Sequence, residues 1–200
     1  MERLDQQMRF VGEIDRLKGV LRQTMLAGPG RRENSAEHSW HLAMMAVTLG
    51  EYAPASTDIG RVTAMLLLHD LVEIDAGDLF VYADDAQQAR QEEAERAAAD
   101  RIFALLPPDQ AATLRGLWDE FEERRTPEAR FARGLDRLQP MLENLTAGGG
   151  TWKEHGITAD RVLAKVRLIE DGSASLGRYA RELVDRAVRE GLLAPAPAAT

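Results

Sequence analysis

The 200-residue chain contains no cysteine, which removes disulfide frameworks, thiolate metal sites and cysteine nucleophiles together. Aromatic residues amount to only 6%, and Val or Ile seldom alternate with polar residues, so little in the sequence calls for a sheet. No apolar run approaches the roughly 18 to 20 residues that a bilayer crossing needs, and the start MERLDQQMRF lacks the basic and apolar blocks of a signal peptide. A cytoplasmic location is the expectation. A basic run is missing too: 25 Lys and Arg face 33 Asp and Glu, a formal net charge of -8. That balance repels polyphosphate backbones and excludes nucleic-acid polymers as natural partners.

What is present is an ordinary globular composition, 44% hydrophobic and 29% charged, with the Ala, Leu, Arg and Glu content that favours helices. The pattern predicts an all-α bundle of eight or so helices, one domain over 1–193 and a flexible tail over 194–200. Met8, Val11, Ile14, Leu17, Leu21 and Met25 recur at steps of three and four, predicting a first helix from Leu4 to Leu26 that stops at Gly28, Pro29 and Gly30. Asn34 and Glu37 have the spacing of a capping box, opening a helix from about Ser35 to Tyr52. Thr57 or Asp58 can cap a third helix, running through the apolar block Ala64 to Leu68 as far as Ile74. Further helices are expected over about 86–106, 109–125, 127–146, 158–170 and 175–193, the breaks falling at proline pairs, Pro127 and the Gly148 to Gly150 stop.

Three patches carry chemistry. In LLLHDLVEIDAGDL, Asp70 follows a strongly apolar turn, where its desolvation is costly without a cation or donor. Adjacent His69 and Asp70 point about 100° apart on a helix, so both reach one ion only near a helix end. Glu73 shares a face with His69. In RRENSAEHSWH, His38 and His41 stand three apart behind an arginine pair suited to an anion. The third patch is Asp136, an acid among Leu135, Leu138 and Met141 on a helix otherwise suited to burial. Each alone is a weak signal, since a histidine at a helix edge is more often a hydrogen-bonded core residue than a ligand. Trp40, Trp118 and Trp152 read as core or interface residues rather than stacking platforms, and the run from Gln91 to Arg96 as a solvated helix face.

Taken together, Arg31-x-Glu33-x-x-x-Glu37-His38, then His69-Asp70-x-x-Glu73, Gly77-Asp78 and Asp136 resemble the HD-domain metal-dependent phosphohydrolases, and more closely their 5′-deoxynucleotidase branch. The resemblance spans about Leu4 to Leu168. It implies His38, His69, Asp70 and Asp136 as ligands of one divalent metal ion, with Glu73 and Asp78 as the acidic residues beside it and Glu73 handling the proton. His41 matches no ligand and is expected behind the ligands or in packing. Mixed N/O ligation suits Mn, Co, Fe, Ni or Zn better than Ca, with Mg also allowed. With two of four histidines used, a second ion with histidine ligands is not expected.

Arg31 is placed for phosphate or for organising its loop. Arg22 stands where the deoxynucleotidases carry an arginine, but Gln23 follows where the bacterial enzyme has tryptophan, so a solvated helix residue is an equal reading. The implied substrate is a deoxyribonucleoside 5′-monophosphate, and the implied assembly a homodimer. Two alternatives stay open: another small HD phosphohydrolase, acting on a triphosphate or a guanosine polyphosphate, and a non-catalytic nucleotide-sensing module. Ile74 after Glu73 departs from the alarmone hydrolases' HDxxED, and retention of Glu73 and Asp78 speaks against a purely structural ion.

Overall fold

A computed structural model describes residues 1–26, 28 and 30–197. Among the described residues the elements are helical except for one short two-stranded sheet. In chain order they are α1 (Glu2–Ile14), β1 (Leu21–Met25), β2 (Arg32–Asn34), α2 (Ser35–Leu49), α3 (Ile59–Leu68), α4 (Glu73–Ala76), α5 (Asp85–Phe103), α6 (Pro108–Glu123), α7 (Pro127–Thr146), α8 (Gly150–Glu154), α9 (Ala159–Gly172) and α10 (Ala174–Arg189). Single 3-10 turns follow α1, α2 and α3. No described helix is long and apolar enough to cross a membrane.

The first segment differs from the expected helix over Leu4 to Leu26. The α-helix ends at Ile14, a 3-10 turn carries Asp15–Gly19, and the chain then extends into β1, antiparallel to β2. Gly12 and Gly19 weaken helix there, and β-branched Val20 takes an extended conformation. The spacing of three and four misled because Met8, Val11 and Leu21 are exposed, whereas Phe10 and Leu17 are the residues that bury. Between the pairs Leu21↔Asn34 and Met25↔Arg32, β1 advances four residues and β2 two. The irregular stretch holds Arg22, Gln23 and Thr24, all three of which line a pocket. Pro29, named above as part of the helix stop, lies outside the described residues.

Elsewhere the local signals act as expected. Asn34 Oδ1 accepts from Glu37 N at 3.0 Å while Asn34 N donates to Glu37 Oε2 at 3.2 Å, completing the capping box. Asp58, rather than Thr57, caps α3 by accepting from Arg61 N. Pro127 opens α7, which ends at Thr146. Between the expected helices over 127–146 and 158–170, the chain forms the short α8. The expected tail is anchored at its start: Ala194 bridges to Thr158 and its carbonyl accepts from Ala159 N at 2.9 Å. Residues 198–200 of that tail lie outside the described residues.

Two apolar clusters flank the site. The larger gathers α2, α3, α7, α9 and α10 around Leu42, Met65, Phe131, Leu135 and Ile169. The smaller gathers Phe10, Leu71, Val72, Ile102, Phe103 and Trp118. Leu68 packs against both, so the turn that follows it, His69–Val72, is wedged between them. Trp118 pins that turn by donating its indole N–H to the His69 carbonyl at 3.2 Å, and both Trp118 and Trp152 are buried as expected of core residues. Trp40 is not in the core: it is 65% exposed.

Candidate metal centre

Three polar segments converge where the two clusters meet. The start of α2 supplies Ser35 and His38, the 3-10 turn after α3 supplies His69 and Asp70, and the middle of α7 supplies Asp136 and Gln139. The helical run breaks at His69, which meets the requirement that neighbouring His69 and Asp70 share one ion only at a helix end. Gly77 follows α4 with φ of 74°, a left-handed turn that brings Asp78 back to the same pocket.

His38 Nε2 lies 3.2 Å from Asp136 Oδ1 and 3.9 Å from Asp70 Oδ2, while His69 Nε2 lies 2.9 Å from Asp70 Oδ1 and 3.9 Å from Asp136 Oδ1. The opposite ring nitrogens are already engaged. His69 Nδ1 donates to the Leu66 carbonyl at 2.9 Å, a group that can only accept. His38 Nδ1 faces Gln139 Oε1 at 3.2 Å, and the same amide donates from Nε2 to Glu33 Oε1 at 2.8 Å, which fixes its orientation. Both rings turn Nε2 towards carboxylate oxygens in a buried site, and although burial and the Arg22 charge oppose it, Asp136, Glu33 and Asp70 raise the His38 pKa overall. Two imidazole nitrogens gathered with two carboxylates in this way are a donor set that fits a divalent transition metal. His38, His69 and Asp136 present ligand atoms within 4.8 Å of one another, and Asp70 borders them.

Glu33, His41 and Glu143 form a second such group. There the Gln139 amide nitrogen already supplies the positive partner, 2.8 Å from Glu33 Oε1 and 3.3 Å from His41 Nδ1. His41 is thus tied to His38 through Gln139, as expected of a residue behind the ligands.

Arg22 stands among four acids: Asp70 Oδ2 at 2.8 Å, Glu33 Oε2 and Asp78 Oδ1 at 3.5 Å, and Glu73 Oε1 at 3.9 Å. Burial works against its charge, but Asp70, Glu73 and Asp78 keep the guanidinium above its ordinary pKa. Burial also opposes ionisation of Asp70 and Asp136, yet His69 and Arg22 hold the Asp70 carboxyl below the carboxylate range, and Arg137, His38 and Arg133 hold Asp136 well below it. Glu73 moves the other way, raised well above by burial and then by the Asp70 charge, even with Ser35 Oγ donating to its Oε2 at 2.6 Å. Asp78 is raised chiefly by burial. The acids beside the imidazoles thus divide into ionised ligands and more basic neighbours.

These groups open onto a cavity of about 210 Å³. Arg22, His69, Asp70, Glu73, Asp78 and Asp136 line it, and His38 lies behind them, fully buried. Arg31 is not brought there: it is exposed and closes its guanidinium on Glu37 at 2.6 and 2.9 Å, reinforcing the start of α2. Sequence reasoning assigned no role to Gln139, Ser35, Arg133, Arg137 or Lys165. Gln139 stands three residues after Asp136 on the same face of α7, a spacing that does not by itself mark an amide as a partner of the ligands.

The HD domain family profile matches residues 14–176. A solved structure of a "predicted metal-dependent phosphohydrolase" from Magnetospirillum magnetotacticum MS-1 is 58% identical, with a TM-score of 0.92 over 96% of each chain. Among curated proteins, the 5'-deoxynucleotidase HDDC2 of Danio rerio is 28% identical over 141 residues, 70% of this chain and 68% of its own length. The protein of the same name from Homo sapiens is 28% identical over 136 residues, 68% of this chain and 64% of its own length. The matched region thus spans about two thirds of these curated relatives.

Proposed function

The chain belongs to the HD domain family, and from that premise we propose that it removes the 5′-phosphate from deoxyribonucleoside 5′-monophosphates, with one divalent ion held by His38, His69, Asp70 and Asp136. The observation that carries the metal-dependent reading is the gathering of the His38 and His69 Nε2 atoms with the Asp70 and Asp136 carboxylates at one buried point. The choice of a deoxynucleoside monophosphate follows the curated relatives' name.

A divalent ion bound there supplies Lewis-acid polarisation of the phosphoryl group and a water of lowered pKa. The protein's own groups do the rest. Arg22 holds Asp70 Oδ2, and Gln139 and the Leu66 carbonyl hold the imidazoles, so the ligand set is preorganised. Glu73, with its raised carboxyl, is the group matched to take the proton of the attacking water. As the P–O bond breaks, that proton passes on to the departing 5′-oxygen, with Asp78 lining the same pocket. Phosphate and a deoxynucleoside leave.

Phosphate release is to be measured for deoxy- and ribonucleoside monophosphates, triphosphates and alarmones, each with Mn, Co and Mg. Metal-dependent release from deoxynucleoside monophosphates ahead of the other classes is expected. Equal rates on ribo- and deoxy-substrates would remove the sugar selectivity, and no release from any phosphomonoester would remove the activity.

A further inference from the structure

We infer that Arg133 and Arg137 of α7 and Lys165 of α9 form a phosphate-binding wall beside the metal ligands, which takes the phosphoryl group of the substrate. This rests on the phosphohydrolase reading of the pocket. Arg133 and Arg137 flank Asp136, three residues before it and one after, and with Lys165 they line the 210 Å³ cavity. Their Nη atoms approach Asp136 Oδ2 only to 3.4 and 3.7 Å, longer than a charge-assisted hydrogen bond. The Nε atoms of both arginines are buried and lack a hydrogen-bond partner. Among the described residues, Asp136 and Glu122, the latter 3.9 Å from Arg133, are the only acids within 4.0 Å of the three cations.

Like charges gathered this closely repel. Burial and then the Arg137 charge lower the Lys165 pKa. Arg124, lining the same cavity, adds a fourth cation and holds φ of 57°, a left-handed conformation in which glycine is the usual helix terminator. Arg124 pairs with Glu122 at 3.5 Å, whereas Arg133, Arg137 and Lys165 have few acids close by, an arrangement that makes physical sense when an anion arrives to satisfy it. A phosphomonoester dianion brings two charges and three terminal oxygens, suited to guanidinium forks. The α5 residues that line the cavity, Gln88, Gln91, Glu92 and Glu95, are amide and acid. That polarity sends the phosphate to the α7 and α9 side and leaves the uncharged part of the substrate towards α5.

Calorimetric binding of inorganic phosphate to the metal-loaded protein tests the wall. Lys165→Gln is expected to weaken binding at least tenfold at unchanged metal content, and Lys165→Arg to restore it to within about threefold. Phosphate bound equally tightly by wild type and Lys165→Gln would overturn the inference. Hydrolysis with a KM insensitive to Lys165→Gln would do the same while leaving the phosphohydrolase reading intact. Conversely, Lys165-dependent phosphate binding in a protein that hydrolyses no phosphomonoester would keep the wall and remove the enzymatic reading.

Discussion

Gln139 shows how one neutral side chain sets the chemistry of charged neighbours. Its Oε1 accepts from His38 Nδ1 and its Nε2 donates to Glu33 and His41, so the ring is held with Nε2 facing Asp136. Removing the amide frees the imidazole to rotate or change tautomer and leaves the buried Glu33 carboxylate without its donor. Gln139→Ala is therefore expected to lower metal affinity by roughly 10- to 100-fold, read by competition with a chelating dye. An unchanged affinity would show that His38 is oriented by packing alone. His38, His69, Asp70 and Asp136 could be picked out from the sequence because acids and imidazoles beside apolar runs need a reason to be there. Gln139 could not, because an amide on a helix looks the same whether it faces solvent or orients a ligand.

At the scale of elements, α7 positions Asp136, and its packing against α9 depends on small residues. A Cβ added at Gly172, the last residue of α9, would stand 2.4 Å from the Arg130 carbonyl oxygen of α7, a backbone atom that cannot step aside. At Gly134, within α7, an added Cβ would meet α9 no closer than 3.5 Å, an ordinary contact. Gly172→Ala is expected to destabilise by about 2–3 kcal/mol in urea unfolding, and Gly134→Ala to be neutral or slightly stabilising through helix propensity. Similar costs for the two would contradict this picture of the α7 and α9 contact. Helix starts were legible wherever a cap marked them, as at Asn34, Asp58 and Pro127. The β1–β2 hairpin was not, because Leu21 to Met25 continues the three-and-four spacing of α1 while tertiary pairing, not local periodicity, decides its conformation. That hairpin carries Arg22, so misreading the element also hid how Arg22 reaches four acids.

For the whole molecule, the net charge of -8 disfavours association with a polyanion such as a nucleic-acid polymer, an effect that weighs less on a single mononucleotide. The pocket lining is itself acid-rich, with five Arg and Lys against seven Asp and Glu, so an ion held by His38, His69, Asp70 and Asp136 would supply the positive charge that lets the arginines and lysine draw a phosphate there. The absence of cysteine and the count of four histidines restrict any metal to N/O ligation, and two imidazoles with two carboxylates meet between the two apolar clusters. What no sequence pattern conveyed is the convergence of Arg133, Arg137 and Lys165. Arginine and lysine on helices are ordinarily solvent-facing, and only the packing of α7 on α9 turns these inward.

The central claim, that Asp70 holds a catalytic ion while Glu73 moves a proton beside it, is tested most directly by metal content and turnover measured together in two variants. The account predicts that Asp70→Ala loses both, and that Glu73→Ala keeps about one ion per chain while turnover falls on the order of 100-fold or more. Full metal content with full turnover in Asp70→Ala would contradict it.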